Sequence, residues 1–336
     1  MKSTWRTYPY ITILIVGSIL CLLQKVIASE GDRHKVHRNL LRACLNQNCS
    51  TPEQLNHFHG HQPLVLWMLG WDCKHECRYL SMWTTVGHLI REGTPISSIP
   101  QFYGKWPFIR ILGVQEPASV IFSIGNGFAQ VFNILQLRKK VPNTAPMYYV
   151  GLAQGMIAVN AWIWSTVFHS RDLAWTEKMD YYCAYSLVLS GLTATLLRIF
   201  AVRDNGMNMK VAVGIAAVTS LFYLRHVCFL ALIRFDYGYN MKVNITTAIL
   251  NFILIVAWSL WNIKQQPYLW KAIASVVTIN LCILLEVLDF PPLWWTFDAH
   301  SLWHASTIPI AFLYSSYFVD DCLYLHNAKI KFRKEA

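Results

Sequence analysis

Two pairs of polar residues in this chain have the spacing needed to act together. The segment 297–307 reads FDAHSLWHAST, and its His300 and His304 are four residues apart, which places them on one face of a helix. Ser165 and His169 have the same spacing in WSTVFHSRD. Three imidazoles are a frequent ligand set for catalytic zinc, which keeps a fourth position for water. The histidines therefore indicate a candidate zinc site.

A carboxylate and a hydroxyl accompany the histidines. Zinc lowers the pKa of bound water to about 7, and Asp180 in EKMDYY could accept the proton and pass it to a leaving group. Asp180 could instead be a further metal ligand or orient a histidine. Ser165 could stabilise the oxyanion of an attacked ester, although it lacks the G-x-S-x-G elbow of serine hydrolases. The chemistry indicated is hydrolysis of an ester or amide.

Each of these residues also has a purely structural interpretation. An H-x-x-x-H pair occurs on helices by chance, and a serine can bond to the backbone of its own helix. Asp180 suits a helix N-terminus, where the helix dipole favours negative charge. If these polar residues converge at one depth of a membrane, the functional interpretation is favoured, because ionisable groups inside membranes usually have a functional role. The elements that carry the residues decide between the two interpretations.

The composition predicts an all-α, polytopic membrane protein. Of the 336 residues, 54% are hydrophobic and only 14% are charged, whereas soluble domains carry roughly 25% charged residues. Apolar stretches of about 20 residues, the length of a membrane-spanning helix, recur from residue 116 onward. We predict seven transmembrane helices within residues 116–321, at 116–137, 147–168, 180–201, 210–232, 243–263, 269–289 and 300–320.

The charge distribution orients these helices. The net charge of +11 does not indicate nucleic-acid binding, because the basic residues are scattered over loops. Lys and Arg instead mark the cytosolic side of membrane proteins. They cluster after the first, third and fifth helices and in the tail 322–336, which we therefore expect in the cytosol. Ser165, His169, Asp180, His300 and His304 then share the luminal side.

The first residues predict entry into the secretory pathway. Residues 1–29 combine a basic start, the apolar run ITILIVGSILCLL and small residues for cleavage after Ala28 or Ser29, as in a signal peptide. An uncleaved anchor helix is the rival interpretation. Either way, the following residues 30–115 would face the lumen.

The luminal region 30–115 contains four cysteines. An even set in an oxidising compartment predicts two disulfides, with three possible pairings. A zinc site that uses the C-x-x-x-C spacing is the alternative. Asn48 begins a glycosylation sequon, so a glycoprotein is also expected. The cysteines concerned are Cys44, Cys49, Cys73 and Cys77.

Several longer segments resemble one family of membrane proteins. GWDCKHECRY, QFYGKWPFIRILGVQEPASVIFSIGN, NAWIWSTVFHSRD, EKMDYY and LLEVLDFPPLWWTFDAHSLWHAST are similar to the post-GPI-attachment-to-proteins factor 3 family. The Ser, Asp and three-His pattern also resembles the wider CREST superfamily of seven-helix hydrolases and receptors. The resemblance covers nearly the whole mature chain. One departure lies at 79–81, where Tyr-Leu-Ser replaces a stretch that in the family often contains Cys and Met.

The resemblance implies both a site and a reaction. His169, His300 and His304 would hold zinc, and Ser165 and Asp180 would complete the catalytic site. The reaction would remove the sn-2 fatty acid from the phosphatidylinositol of GPI-anchored proteins, a phospholipase A2-type hydrolysis. The expected location is the Golgi membrane, with the endoplasmic reticulum as the alternative. Two other functions stay open: a seven-helix receptor with structural zinc, and a luminal folding factor.

Overall fold

The computed structural model describes residues 29–203 and 205–335, apart from the side chains of residues 286–288. The predicted signal peptide, except for its last residue, lies outside the described residues. The region that follows is helical, with 3₁₀ residues at Ile96–Ser98. Its helices are α1 Glu30–Arg33, α2 Lys35–Asn48, α3 Pro52–His61, α4 Leu64–Met68 and α5 Cys73–Arg91.

Two disulfides join α2 and the segment after it to α5. Cys44 is bonded to Cys77, and Cys49 is bonded to Cys73. The prediction of two disulfides is confirmed, and the structure selects one of the three pairings. A cysteine sulfur that forms a disulfide is not available as the thiolate that binds zinc. The two observed bonds therefore argue against the alternative zinc site.

Seven long helices follow. They are α6 Pro117–Lys140, α7 Tyr148–Ser170, α8 Ala174–Leu196, α9 Met209–Cys228, α10 Tyr237–Asn262, α11 Trp270–Leu288 and α12 Ala299–Glu335. Two of them end in π-helical turns, Leu197–Ala201 after α8 and Phe229–Ile233 after α9. A two-stranded antiparallel hairpin joins α8 to α9, with β1 at Val202–Arg203 and β2 at Gly206–Met207. A 3₁₀ turn at Pro267–Leu269 leads into α11.

Within the described residues, six of these helices are long and apolar enough to cross a membrane. They are α6 to α11, counting the π-helical end of α8 and of α9. The remaining helix, α12, packs against α6 and α11 in the same bundle. A multi-pass, mostly helical membrane protein is therefore the observed architecture, and the seventh span stays a prediction.

Counting the π-helical ends, three helix boundaries differ by more than three residues from the sequence-based positions. In one of them, the fifth span was predicted to begin at residue 243, but α10 begins at Tyr237. We predicted that the third span begins at residue 180, but α8 begins at Ala174. Thr176 stabilises this earlier start, because its hydroxyl accepts a hydrogen bond from the Leu173 backbone N–H at 2.9 Å. Asp180 therefore lies in the second turn of α8. The last helix was predicted to end at 320, yet α12 continues through the predicted tail to Glu335, since Lys, Arg and Glu are good helix formers.

Amide side chains attach α6 to the first half of α12. The Asn126 amide donates to the His304 carbonyl at 2.7 Å and accepts from the Thr307 hydroxyl at 3.1 Å. Further along, the Asn133 amide donates to the Ala311 carbonyl at 3.0 Å. Polar side chains that bond across helices help hold membrane bundles together. These contacts fix the position of His304.

A buried ion pair joins the helices at the end of the bundle where α8 ends. Arg198 donates to both carboxylate oxygens of Asp321, at 2.7 and 3.0 Å, and to the Gln266 side chain at 3.1 Å. The Tyr268 hydroxyl donates to the same carboxylate at 2.8 Å. The pair connects α8, α12 and the residues before α11.

The disulfide-linked region packs against the opposite end of the bundle, where α7 ends and α12 begins. The Gln115 backbone N–H donates to the Ser170 carbonyl at 3.0 Å, and the Ile109 N–H donates to the Trp295 carbonyl at 2.9 Å. The histidine-containing helix ends are thus the ones that this region covers.

Candidate metal centre

Three histidine side chains converge at the covered end of the bundle. His169 lies in the last turn of α7, while His300 and His304 lie in the first turns of α12. The Nε2 atoms of His304 and His300 are 2.8 Å apart, and those of His300 and His169 are 3.3 Å apart. His169 and His304 are each only 2% exposed. The helix packing that the sequence could not show therefore brings the three predicted ligands together.

This arrangement fits a metal ion. Zinc–nitrogen bonds of 2.0–2.1 Å at tetrahedral angles place ligand nitrogens about 3.3 Å from each other. The three ligand atoms here lie within 4.8 Å of one another. Three converging imidazole nitrogens repel one another unless a proton or a cation lies between them. The donor set, three imidazole nitrogens of which two belong to buried residues, suits zinc.

The imidazoles of His169 and His304 are oriented through their outer nitrogens. His169 Nδ1 lies 2.7 Å from a carboxylate oxygen of Glu116, and His304 Nδ1 lies 3.2 Å from the Ser123 hydroxyl. Such outer hydrogen bonds fix the tautomer and direct Nε2 toward a metal. Sequence analysis predicted neither Glu116 nor Ser123 as a site residue.

Glu116 is itself held by a buried ionic network. Its carboxylate bonds to the Lys105 ammonium, which also pairs with Asp172 at 3.0 Å. Burial opposes ionisation of Glu116, but Lys105 and His169 outweigh it and hold the pKa of that carboxyl well below its usual range. Glu116 is therefore a carboxylate that accepts the His169 Nδ1–H.

The predicted serine and aspartate lie beside the histidines. Ser165 is buried one turn before His169, and its hydroxyl is 3.0 Å from that of Ser123. Asp180 is partly buried and interacts electrostatically with His169 and His300. All five sequence-predicted residues thus meet at one end of the bundle. Their roles as ligands and catalytic groups remain predictions.

The start of α12 is fixed by a reciprocal cap. The Asp298 carboxylate accepts from the Ser301 backbone N–H at 2.8 Å, and the Ser301 hydroxyl accepts from the Asp298 N–H at 3.0 Å. The cap satisfies backbone donors that have no partner inside the helix. It sets the register that turns His300 and His304 toward α7.

Comparison with known proteins gives a consistent picture. A profile of the Per1-like family matches residues 63–322. The chain is 44% identical over 307 residues to a Xenopus laevis protein named GPI-specific phospholipase A2-like PGAP3, which covers 91% of this chain and 94% of that protein. The human protein of the same name is 43% identical over 297 residues, 88% of this chain and 90% of its own.

A more distant relative extends the comparison to insects. The Drosophila melanogaster protein named Post-GPI attachment to proteins factor 3 is 36% identical over 307 residues, which is 90% of this chain and 91% of that protein. No solved structure matches the chain.

Proposed function

Because this chain belongs to the Per1-like family, we propose that it removes a fatty acid from the lipid of GPI-anchored proteins by metal-assisted ester hydrolysis. The names of the frog and human relatives describe GPI-specific, phospholipase A2-like proteins. A phospholipase A2 cleaves the ester at the sn-2 position, so the sn-2 ester is the bond that we propose this protein hydrolyses. The observation that carries the proposal is the convergence of three imidazole Nε2 atoms at one end of a membrane bundle.

The side chains divide the work of ester hydrolysis. His169, His300 and His304 would hold zinc, which when bound supplies an activated water near neutral pH and polarises the ester carbonyl. Asp180 would accept the water proton and return it to the leaving alkoxide. The Ser165 hydroxyl would donate to the oxyanion that forms on the acyl carbon.

The outer contacts keep this machinery in one geometry. The Glu116 carboxylate accepts a hydrogen bond from the Nδ1–H of His169, so the Nε2 lone pair of that ring stays available to the metal. Ser123 lies between Ser165 and His304, bonding to both. The hydroxyl of Ser165 and the ring of His304 are therefore positioned by the same side chain.

We propose that the site faces the lumen of the Golgi, or alternatively of the endoplasmic reticulum. The disulfide-linked region covers the histidine end of the bundle, and disulfides form in oxidising compartments. Basic residues lie in the last turns of α6 and α12, consistent with the cytosolic side there. Six spans and a seventh formed by α12 would leave the C-terminus in the cytosol.

Acyl release by full-length protein in lipid nanodiscs tests the proposal. We expect wild-type protein to bind zinc and to release the sn-2 fatty acid from a GPI substrate with position-specific acyl labels. His304→Ala should abolish release and lower the bound zinc, because it removes a ligand. His59→Ala, at an exposed histidine on α3 outside the site, is the matched control and should retain both.

The same assay separates the alternatives. Full release by a folded His304→Ala variant would show that the three-histidine mechanism is wrong. Zinc binding by wild-type protein without acyl release from GPI or phosphatidylinositol would contradict the enzyme and favour a receptor with structural zinc. Release of only the sn-1 label would overturn the positional assignment alone.

A further inference from the structure

A cavity of about 250 Å³ lies between the disulfide-linked helix α5 and the loop that leads into α6. Pockets for drug-sized ligands typically have volumes of ~300–1,000 Å³, so this cavity is slightly smaller than they are. Its volume suits a lipid headgroup. Its described lining carries more positive than negative charge. The charged side chains in it are Arg78, Lys105, Arg110, Arg171 and one carboxylate, Asp172.

Arg171 is the unusual member of this lining. It is only 5% exposed, yet its guanidinium donates to neutral oxygens: the Asp172 carbonyl at 2.8 Å, the Gln115 side chain at 3.4 Å and the Gly70 carbonyl at 3.5 Å. Among the described residues, no carboxylate lies within ion-pair distance of it, and its Nε has no hydrogen-bond partner. A buried charge without a counterion is costly.

Aromatic rings hold the cations in place without neutralising them. The Arg171 guanidinium lies 3.9 Å from the centre of the Trp71 ring, and that of Arg110 lies 4.2 Å from the same centre. Arg110 is neutralised by Glu76.

Arg78 offers a second cation on the open side of the cavity. It is exposed, and its guanidinium lies 5.0 Å from the centre of the Tyr103 ring. Within the described part of the chain it forms no ion pair. Among the described residues, the lining thus contains two arginines without an ion-paired carboxylate, while Asp172 and Asp72 act on Arg171 only at longer range.

The cavity adjoins the candidate metal centre. Lys105 belongs to its lining and bonds to Glu116, which in turn bonds to His169. Two side-chain contacts therefore separate the cavity wall from the nearest zinc-ligand candidate. A headgroup in the cavity would therefore lie close to the candidate metal centre.

We propose that this cavity is the headgroup subsite of the enzyme and binds the phosphodiester of the lipid substrate between Arg171 and Arg78. A guanidinium presents paired N–H donors that match phosphate oxygens. The sugar ring next to the phosphate would lie against the aromatic side chains of Tyr103 and Trp106, which also line the cavity. The assignment to a lipid rests on the proposed function, whereas binding of a phosphate oxyanion does not.

Calorimetric titration of full-length protein in an uncharged maltoside detergent tests the subsite. The probes are glycerophosphoinositol, inorganic phosphate and uncharged myo-inositol. We expect glycerophosphoinositol to bind most tightly, inorganic phosphate more weakly, and myo-inositol not at all. Arg171→Gln and Arg78→Gln should each weaken glycerophosphoinositol binding by about tenfold or more, because a charge-assisted hydrogen bond is lost.

A matched control lies on the same helix. Arg91→Gln changes another exposed arginine, at the far end of α5 and outside the cavity lining, and should leave the affinity unchanged. Arg78 is exposed, so its variant tests the subsite even if Arg171→Gln does not fold. Unchanged binding in Arg78→Gln, or an equal loss in Arg91→Gln, would overturn the subsite. Equal affinity for inorganic phosphate and glycerophosphoinositol would overturn the headgroup assignment in favour of free phosphate.

The titration also separates this inference from the proposed function. His304→Ala should bind glycerophosphoinositol like the wild type, since the histidine lies outside the cavity lining. Arginine-dependent binding by a protein that never releases fatty acid would refute the hydrolase and leave the subsite in place. Acyl release that neither arginine variant affects, with no measurable headgroup binding, would refute the subsite alone.

Discussion

Two buried arginines at opposite ends of α8 have opposite electrostatic surroundings. Arg198, in the π-helical end of this span, donates to both oxygens of Asp321 and to Gln266. Arg171, which precedes the helix, donates to neutral oxygens and keeps an unpartnered Nε. The side chains are comparably inaccessible, at 9% and 5% exposure. The charge of Arg198 is thus ion-paired within the fold, whereas Arg171 has carboxylates, those of Asp172 and Asp72, only at longer range.

The difference separates a charge that holds helices together from a charge that is kept for a ligand. A buried guanidinium that already donates to both oxygens of a carboxylate has little hydrogen-bonding capacity left for a further molecule. A buried guanidinium without a counterion raises the free energy of the empty protein and releases that cost when an anion binds. We therefore expect changes at Arg198 to affect stability and changes at the histidine end to affect binding and catalysis.

The largest expected effect is on stability, at Arg198. Arg198→Met should lower the free energy of unfolding by about 3–5 kcal/mol, because it leaves the Asp321 carboxylate buried and unpaired. Denaturant titration in mixed micelles measures this change. The double variant Arg198→Met/Asp321→Asn should recover much of the loss, while the exposed control Arg203→Met should stay near wild type. A loss below about 1 kcal/mol for Arg198→Met would show that the pair is not structural.

The next effect is on metal affinity, at Glu116. Glu116→Gln should weaken zinc binding by about 10–100-fold, because the neutral amide is a weaker hydrogen-bond acceptor for His169 Nδ1–H than the Glu116 carboxylate is. Competition with a chelator of known affinity measures the zinc dissociation constant. Glu92→Gln changes another Glu–His pair, which lies at the surface with His88, and should have no effect. Equal zinc affinities in wild type and Glu116→Gln would remove Glu116 from the site.

The smallest expected effect is on the stability of the ligand-free protein, at Arg171. Arg171→Met should cost only about 1–2 kcal/mol, because it removes the cation–π contact with Trp71 and hydrogen bonds to neutral oxygens but breaks no ion pair. Glycerophosphoinositol at 100 times its dissociation constant should stabilise the wild type by about 2.7 kcal/mol and the variant hardly at all. The same unfolding titration, with and without ligand, measures both. If Arg171→Met lowered the free energy of unfolding as much as Arg198→Met does, the two arginines would not differ in their structural role.

Sequence patterns predicted most of the bundle because membrane spans leave a strong signal. Runs of about 20 apolar residues placed six spans that the structure also contains. The signal fails at helix ends, where polar residues continue the helix outside the apolar run. The turn that precedes Asp180 in α8 and the charged half of α12 were lost for this reason.

The histidines were predictable and their supporting residues were not. The spacing of His300 and His304 is visible in the sequence, because residues four apart share a helix face. Glu116 and Ser123 reach the site through packing between segments far apart in the chain, which no local spacing records. Arg171 is hidden for the same reason: a charged residue after a helix is normally exposed, and its burial depends on Trp71 from the distant disulfide-linked region.

The two disulfides also connect the proposed headgroup cavity to the redox state of the chain. Trp71, Arg78 and Tyr79 form one wall of the cavity, and they lie on or beside the helix that the Cys44–Cys77 and Cys49–Cys73 bonds attach to its neighbours. The histidines belong to the bundle and need no oxidation to come together. Under the proposed assignments, the histidine centre would form when the helices insert into the membrane, and the headgroup cavity would be completed when the thiols are oxidised. Completion of the proposed cavity would thus require oxidation of the cysteines in addition to folding of the chain.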